Sequence, residues 1–416
     1  MEKINIYIIE INSKTNTSGV DRYIGNLIEG LSSQPFVRLY RIQLTQTSSI
    51  FSYRELVHSD YTEITIPTPQ DLSEIVKEKY WNHKYNLQVF SLIRHLFTKQ
   101  AKNIIHLHTL NLIDLALYIK EQFNCKIITH LHCIPWKSYY NTDKKKFNFL
   151  YYQCEVLNEK ANPIDQLITH YNEYLSYSLP DKIICVTHNA KKFLRETLQI
   201  PAKIVVIPNG IKDHRENSFI RENKKRTDLF KILFVGNATE SKGILFILEA
   251  LRRVRSKGYN VDFTIAGSCD PSMKQIIKQE YRELSVHILG VIPFEELMEY
   301  YKKSDIGVIA SLQEQCSYAA LEMAMFGLPV VTTAIDGLDE IFQDQVNALK
   351  VNTAFSRVLG LRVDTQMFSE KIIALIENEV LRKQIGENAR SLYEKKYSLE
   401  RMIGETTEVY KKLTYE

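Results

Sequence analysis

Short runs of β-branched and aliphatic residues alternate with amphipathic stretches along this chain, and they do so in two separate series. Such alternation calls for parallel strands joined by helical crossovers, because parallel neighbours cannot be linked by a tight turn. The first series places strands near residues 4–9, 103–108, 126–131, 182–187 and 203–208, and it closes on Ile207-Pro208-Asn209-Gly210-Ile211. The stretch from Lys212 to Asp228 carries Arg215, Glu216, Arg221, Glu222, Lys224, Lys225 and Arg226, which is the composition of a linker. A second series opens at Phe230-Lys231-Ile232-Leu233-Phe234-Val235-Gly236 and runs through strands at 261–267, 286–290, 306–310 and 330–333. Two doubly wound α/β units in tandem are the expectation, with domains at 1–213 and 214–396 and a helical segment at 397–416. Ligands of such sheets bind beyond the carboxyl ends of the strands, so a cleft between the units is the expected site.

Composition narrows the class. With 416 residues there is chain enough for two cores of ordinary size, and 44% apolar against 25% charged residues excludes a disordered chain. No run of about 18 apolar residues occurs, and the start Met1-Glu2-Lys3-Ile4-Asn5 is too acidic, and its apolar run too short, for a signal peptide. A cytoplasmic protein is expected. Six cysteines are scattered without a Cys-x-x-Cys spacing, which fits reduced thiols better than disulfides or a zinc site. A net charge of +4 permits an anionic partner without requiring one. Nucleic acid is excluded as a partner by the absence of zinc-finger spacing, a single-strand-binding aromatic signature or a strong basic excess.

The chemistry concentrates between Ser311 and Val331. Glu314 and Glu322 stand eight positions apart, the first on a loop after the strand Ile306-Gly307-Val308-Ile309, the second near the second turn of a helix that Gly327 and Pro329 close. At about 1.5 Å per residue the two lie roughly 12 Å apart along the element, a span that suits a nucleotide sugar. One carboxylate would hold the hexose and the other the ribose, with the diphosphate over the helix N-terminus, a natural anion site. The competing reading makes Glu314 a cap and Glu322 part of a solvated face. This stretch, with Gly327-Leu328-Pro329-Val330-Val331 after it, resembles the Glu-x7-Glu signature of glycosyltransferase family 4, retaining transferases of the GT-B fold.

The resemblance covers nearly the whole chain and implies a fold and a set of site residues. The fold would be two Rossmann-like doubly wound domains facing across a cleft, with the C-terminal helix crossing back to the first. Gly236-Asn237-Ala238-Thr239-Glu240-Ser241-Lys242-Gly243 is similar to the family's Gly-Arg…Lys-Gly turn that clamps the donor diphosphate; Lys242 matches, and Asn237 stands at the arginine position without its planar fork. Gly267 matches the strand-to-loop glycine of the nucleotide pocket, and Val291 the turn beside the base. Gly337 and Glu340 fit a Gly-Gly-x-x-Glu element from which Asp336 departs. Cys316, Ser317 and Tyr318 begin the donor helix, with Ser317 at a common glycine position where an N-cap still leaves backbone donors available. Gly19 resembles the first domain's phosphate-side glycine, and locally it is equally an ordinary turn. The family places a histidine at His132, beside the donor sugar, and His108 is the weaker candidate.

His106 with His108, and His130 with His132, are His-x-His pairs at strand ends, each on one face of its strand. They invite a metal reading, but no third ligand of convincing spacing accompanies them, and metal is expected at none of these positions. Lys137 to Tyr152 mixes bases with aromatics and reads either as a solvated loop or as a surface for an anionic membrane or acceptor. No Asp-x-Asp occurs, which speaks against a metal-dependent GT-A transferase. The resemblance thus implies an enzyme moving a hexose with retention from a UDP-, GDP- or ADP-sugar, with no cofactor, onto a polysaccharide, glycolipid or peptide acceptor. Glu314, Lys242 and His132 would serve the reaction. Asn237 favours the rival, a non-catalytic GT-B scaffold protein; an inverting transferase would need a base in the first domain and would not need the Glu pair.

Overall fold

The computed structural model describes residues 3–12, 19–45, 53–68, 79–133, 176–201, 203–216, 219, 228–356 and 360–415. Two units emerge, one comprising Met1–Pro208 with Glu400–Glu416, the other Asn209–Leu399. These divisions fall at 208/209 and 399/400, against 213/214 and 396/397 read from the sequence. Most of the linker read from Lys212 to Asp228, and all of Lys137 to Tyr152, lie outside the described residues.

Among the described residues the first unit is built on an eight-stranded sheet in the order β3-β4-β2-β1-β5-β6-β7-β8. Its strands are β1 (Ile4–Asn12), β2 (Val37–Thr45), β3 (Arg54–Val57), β4 (Tyr61–Pro67), β5 (Lys102–Leu107), β6 (Cys125–Leu131), β7 (Lys182–Cys185) and β8 (Ile204–Val206). All ladders are parallel except β3 with β4 at the edge. β1 is buried at Ile4, Ile6, Tyr7, Ile8 and Ile9, the continuous apolar run of a strand covered on both faces. Glu10 is buried too; burial raises its carboxyl pKa while Arg41, with Nε 2.7 Å away, opposes the shift. Helix α1 (Gly19–Ser32) buries Tyr23, Ile24, Leu27, Ile28 and Leu31, one apolar stripe at helical spacing. The C-terminal helix Leu399–Tyr415 passes α1 so closely that a Cβ on Gly30 would lie 2.2 Å from Cγ1 of Ile403. The last helix therefore belongs to the first unit, as the sequence resemblance implies.

The second unit has a six-stranded, wholly parallel sheet in the order β11-β10-β9-β12-β13-β14. These strands are β9 (Phe230–Val235), β10 (Val261–Ala266), β11 (Ser285–Gly290), β12 (Ile306–Ile309), β13 (Val330–Thr333) and β14 (Leu349–Val351). A two-stranded antiparallel hairpin, β15 (Thr353–Ser356) with β16 (Gly360–Val363), follows. In chain order the sheet reads 3-2-1-4-5-6, the doubly wound nucleotide-binding arrangement, with its reversal point where β10 and β12 flank β9. Helix α2 (Ile244–Ser256) packs Ile244, Ile247, Leu248, Leu251 and Val254 into the core under this sheet. Among the described residues no helix is long and apolar enough to cross a membrane.

Candidate functional site

At the carboxyl edge of the second sheet the loops after β9, β10, β11 and β12 are knitted to one another. Gly236 N–H donates to Ala266 O (2.9 Å), Ala238 N–H to Ser268 O (2.7 Å), Gly267 N–H to Gly290 O (2.8 Å) and Leu312 N–H to Ser241 O (2.9 Å). Gly267 has φ +145°, and a Cβ there would stand 2.0 Å from the carbonyl oxygen of Gly236, so side chains are excluded where these two loops cross. Asn237, at the expected arginine position, accepts a hydrogen bond on Oδ1 from Ser268 Oγ at 2.8 Å. Val291, just beyond β11, is 62% exposed.

Lys242 and Glu314 meet at the reversal point of this sheet. Nζ of Lys242, on the turn after β9, lies 2.6 Å from Oε2 of Glu314, on the loop after β12, with the side chains 36% and 16% exposed. The Glu314 loop is fixed by its backbone. Gly337, in helix α4 (Asp336–Ile341), donates its N–H to Glu314 O at 3.0 Å, and a Cβ on Gly337 would overlap Gln315 O at 1.2 Å. Thr333 Oγ1 donates to Ser311 O (2.7 Å) and Asn209 Nδ2 to Cys316 O (3.0 Å).

Helix α3 (Tyr318–Met325) starts after Ser317, whose Oγ accepts from Ala320 N–H at 3.4 Å, so Ser317 and not Glu314 is the cap. Glu322 sits in its second turn and is 1% exposed, which overturns the solvated-face reading. Its Oε2 accepts a 2.5 Å hydrogen bond from Tyr301 OH, and the Tyr301 ring stacks on Phe326. Tyr301 carries no signal in the sequence; it precedes Glu322 by 21 positions on another helix, and no motif marks it.

In the first unit Gly19 begins α1, and the residues just before it lie outside the described ones. His106 is near the end of β5, His108 just past it; His130 is near the end of β6, His132 just past it. The strands are adjacent and in parallel register, so the four imidazoles come together with neighbouring ring centroids 4.5–5.6 Å apart. His108 Nδ1 lies 3.0 Å from His132 Nε2, and His106 Nδ1 lies 2.7 Å from Tyr410 OH on the C-terminal helix. Burial is the leading cause that lowers all four pKa values, His106 to about 3, so these rings are neutral at pH 7. Spacing along the chain offered no third partner to a His-x-His pair, but strand register supplies one: His106, His108 and His130 present ring nitrogens within 4.8 Å of one another.

Thus Gly236, Asn237, Lys242, Gly267, Glu314, Cys316 and Ser317 share the carboxyl edge of the second sheet, with Tyr318 and Glu322 on the helix that follows. His132 and Gly19 belong to the first unit.

Comparison with known proteins gives this geometry a context. A family described as Glycosyltransferase Family 4 matches residues 17–215, and one described as Glycosyl transferases group 1 matches 215–392. An uncharacterized glycosyltransferase of Methanocaldococcus jannaschii is 26% identical over 79% of this chain and 87% of its own length. The capsular polysaccharide biosynthesis glycosyltransferase CapM of Staphylococcus aureus is 26% identical over 61% of this chain and 67% of its own. Phosphatidylinositol N-acetylglucosaminyltransferase GPI3 subunits of Saccharomyces cerevisiae are 26% identical over 50% of this chain, and that match spans only 47% of their length. Among solved structures, sucrose-phosphate synthase from Thermosynechococcus elongatus superposes with a TM-score of 0.73 at 17% identity, covering 99% of both chains. HepE of Anabaena, in complex with UDP and glucose, gives 0.61 at 13% identity, covering 97% of this chain and 98% of its own. At such identities the two structures speak to the fold alone.

Proposed function

The chain belongs to glycosyltransferase family 4, and from that premise we propose that it transfers a hexose from a nucleoside-diphosphate donor to an envelope polysaccharide, glycolipid or peptide with retention of configuration. One observation carries the reading: Lys242 and Glu314 converge at the reversal point of a doubly wound sheet, directly before a helix N-terminus. That is where such sheets hold nucleotides. The names of the capsular and phosphatidylinositol relatives support a glycan or lipid-linked acceptor.

Breaking the bond between the anomeric carbon and the diphosphate oxygen leaves positive charge on the sugar ring and negative charge on the leaving group. Lys242 and the N–H groups opening α3 would stabilise the departing diphosphate without a metal ion at that position. In the free chain Lys242 is engaged by Glu314. Donor binding would turn the ammonium to the phosphates and release the carboxylate to the sugar hydroxyls. The acceptor oxygen then bonds to the anomeric carbon on the face the diphosphate leaves, and its proton passes to the departing phosphate oxygen. Glu322 would hold the ribose, and His132, by the family resemblance, the transferred sugar.

A thermal-shift screen with uridine, guanosine and adenosine diphosphates and their sugars should single out one nucleotide, since a ligand that binds only the folded state raises apparent stability. Glu322→Ala should weaken that nucleotide, because ribose contacts are equal in ground and transition states, whereas Glu314→Ala should chiefly lower turnover. Wild-type affinity and turnover in both variants would sink the assignment. Donor binding without transfer or donor hydrolysis would favour the non-catalytic scaffold.

A further inference from the structure

We propose that His106, His108 and His130 form a buried three-imidazole site for one divalent transition-metal ion in the first unit. The three lie on adjacent parallel strands whose register pairs His106 with Ile128 and Leu107 with Thr129, which sets His108 opposite His130. Each offers a ring nitrogen, and these nitrogens lie within 4.8 Å of one another.

The hydrogen bonds of the cluster fit this use. His106 Nδ1 meets Tyr410 OH and His108 Nδ1 meets His132 Nε2, so a proton on each Nδ1 can be donated outward. That tautomer leaves a lone pair on each Nε2, and among the described residues both Nε2 atoms are buried without a hydrogen-bond partner, as are both ring nitrogens of His130. His106 and His108 thus have the form of metal-bound histidines, one nitrogen for the ion and the other donating to an outer partner that fixes the ring, while His130 brings a nitrogen without such a partner among the described residues. Left unpaired, each buried acceptor carries a desolvation penalty that evolution seldom tolerates three times over in one spot. A cation accepts all three at once.

Four-coordinate zinc holds nitrogen at about 2.0–2.1 Å, which puts its ligand nitrogens about 3.4 Å apart, so binding would draw the three rings closer than the 4.8 Å within which their nitrogens now lie. An all-imidazole set selects zinc, cobalt, nickel or copper over magnesium or calcium. His108 would be both ligand and donor to His132, so the ion would also fix the orientation of His132.

The test uses the full-length chain, free of any affinity tag and stripped with a chelator. One equivalent of Co2+ should produce the visible absorption of a four-coordinate ion, displaced by Zn2+, and X-ray absorption of the zinc-loaded wild type should show three imidazole ligands. His106→Asn combined with His130→Asn should lower cobalt affinity by about 100-fold or more, while His58→Asn leaves it unchanged. No stoichiometric uptake by the wild type, or uptake that survives the double change, overturns the proposal. So does an imidazole-free absorption spectrum, which decides the matter on the wild type alone if the double variant fails to fold. A cluster that holds only water would give no thermal stabilisation by Zn2+ and would likewise overturn it. The nucleotide screen is unaffected by these outcomes, so the two readings stand or fall separately.

Discussion

Lys242 and Glu314 form a close ion pair, but Lys242 is about one-third exposed, and pairs in that setting add little to folding stability. Their value is better sought in the reaction. Lys242→Ala should lower turnover by about two orders of magnitude or more, the scale for loss of one preorganised charge stabiliser, with little change in melting temperature. Because each is the other's partner in the free chain, the combined Lys242→Ala, Glu314→Ala variant should lose less than the sum of the two singles. Additive losses in a kinetic double-mutant cycle would show that the pair does not act together. Asn237 raises the companion question. It is engaged by Ser268, so Asn237→Arg costs one surface hydrogen bond and gains a forked cation. Donor affinity should hold or rise; a clear loss would mean that phosphate is bound without help from this position.

Among the elements, the crossing of the loops after β9 and β10 is the tightest test of how the site is held. Gly267→Ala combines a φ of +145° with a Cβ 2.0 Å from a backbone oxygen, whereas Gly258→Ala meets a φ of +88° with open space around it. The first should cost about 3 kcal/mol or more and the second about 1, read as shifts in the urea midpoint at unchanged slope. Equal losses would mean that the loops can part without penalty. Elements of this kind show what the sequence could reveal. Strands buried on both faces, such as β1 and β12, are legible as continuous apolar runs. β2 is not, because Arg38 and Arg41 interrupt its pattern; Arg41 is accommodated by Glu10 on β1 and Glu63 on β4, partners that only the sheet order brings near. The Glu314–Glu322 spacing could be read because helix stop signals follow it closely. Tyr301 and the third histidine of the cluster could not, since packing between helices in one case and strand register in the other supplies the contact.

Across the whole molecule, the two units differ in how they bury titratable groups. His106, His108 and His130 are all buried in the first, while His214 and His287, the histidines of the second, are exposed. Burial, with repulsion from neighbouring imidazoles, His132 among them, behind it, holds the three below the ordinary histidine pKa, His106 at about 3. Above about pH 6.5 these groups are neutral both folded and unfolded, and the stability of the first unit is complete. Below it the unfolded chain takes up protons that the folded unit refuses, so stability is lost as pH falls from about 6.5 toward the folded values, by up to about 1.4 kcal/mol per pH unit for each histidine. Carboxylates with ordinary pKa values titrate about two units lower, and Glu10, whose pKa burial raises, works in the opposite sense, because the folded unit takes up its proton before the unfolded chain does. With a chelator present to keep metal out, hydrogen exchange read by mass spectrometry and corrected for intrinsic rates should show β5 and β6 losing protection between pH 7 and 5 while β9 and β12 keep theirs. Loss of protection in step across both sheets would mean that the histidines are not what limits the chain in acid. Replacing His130 with the apolar Leu should move the acid midpoint downward if the variant folds, because one proton acceptor is then gone from the unfolded state.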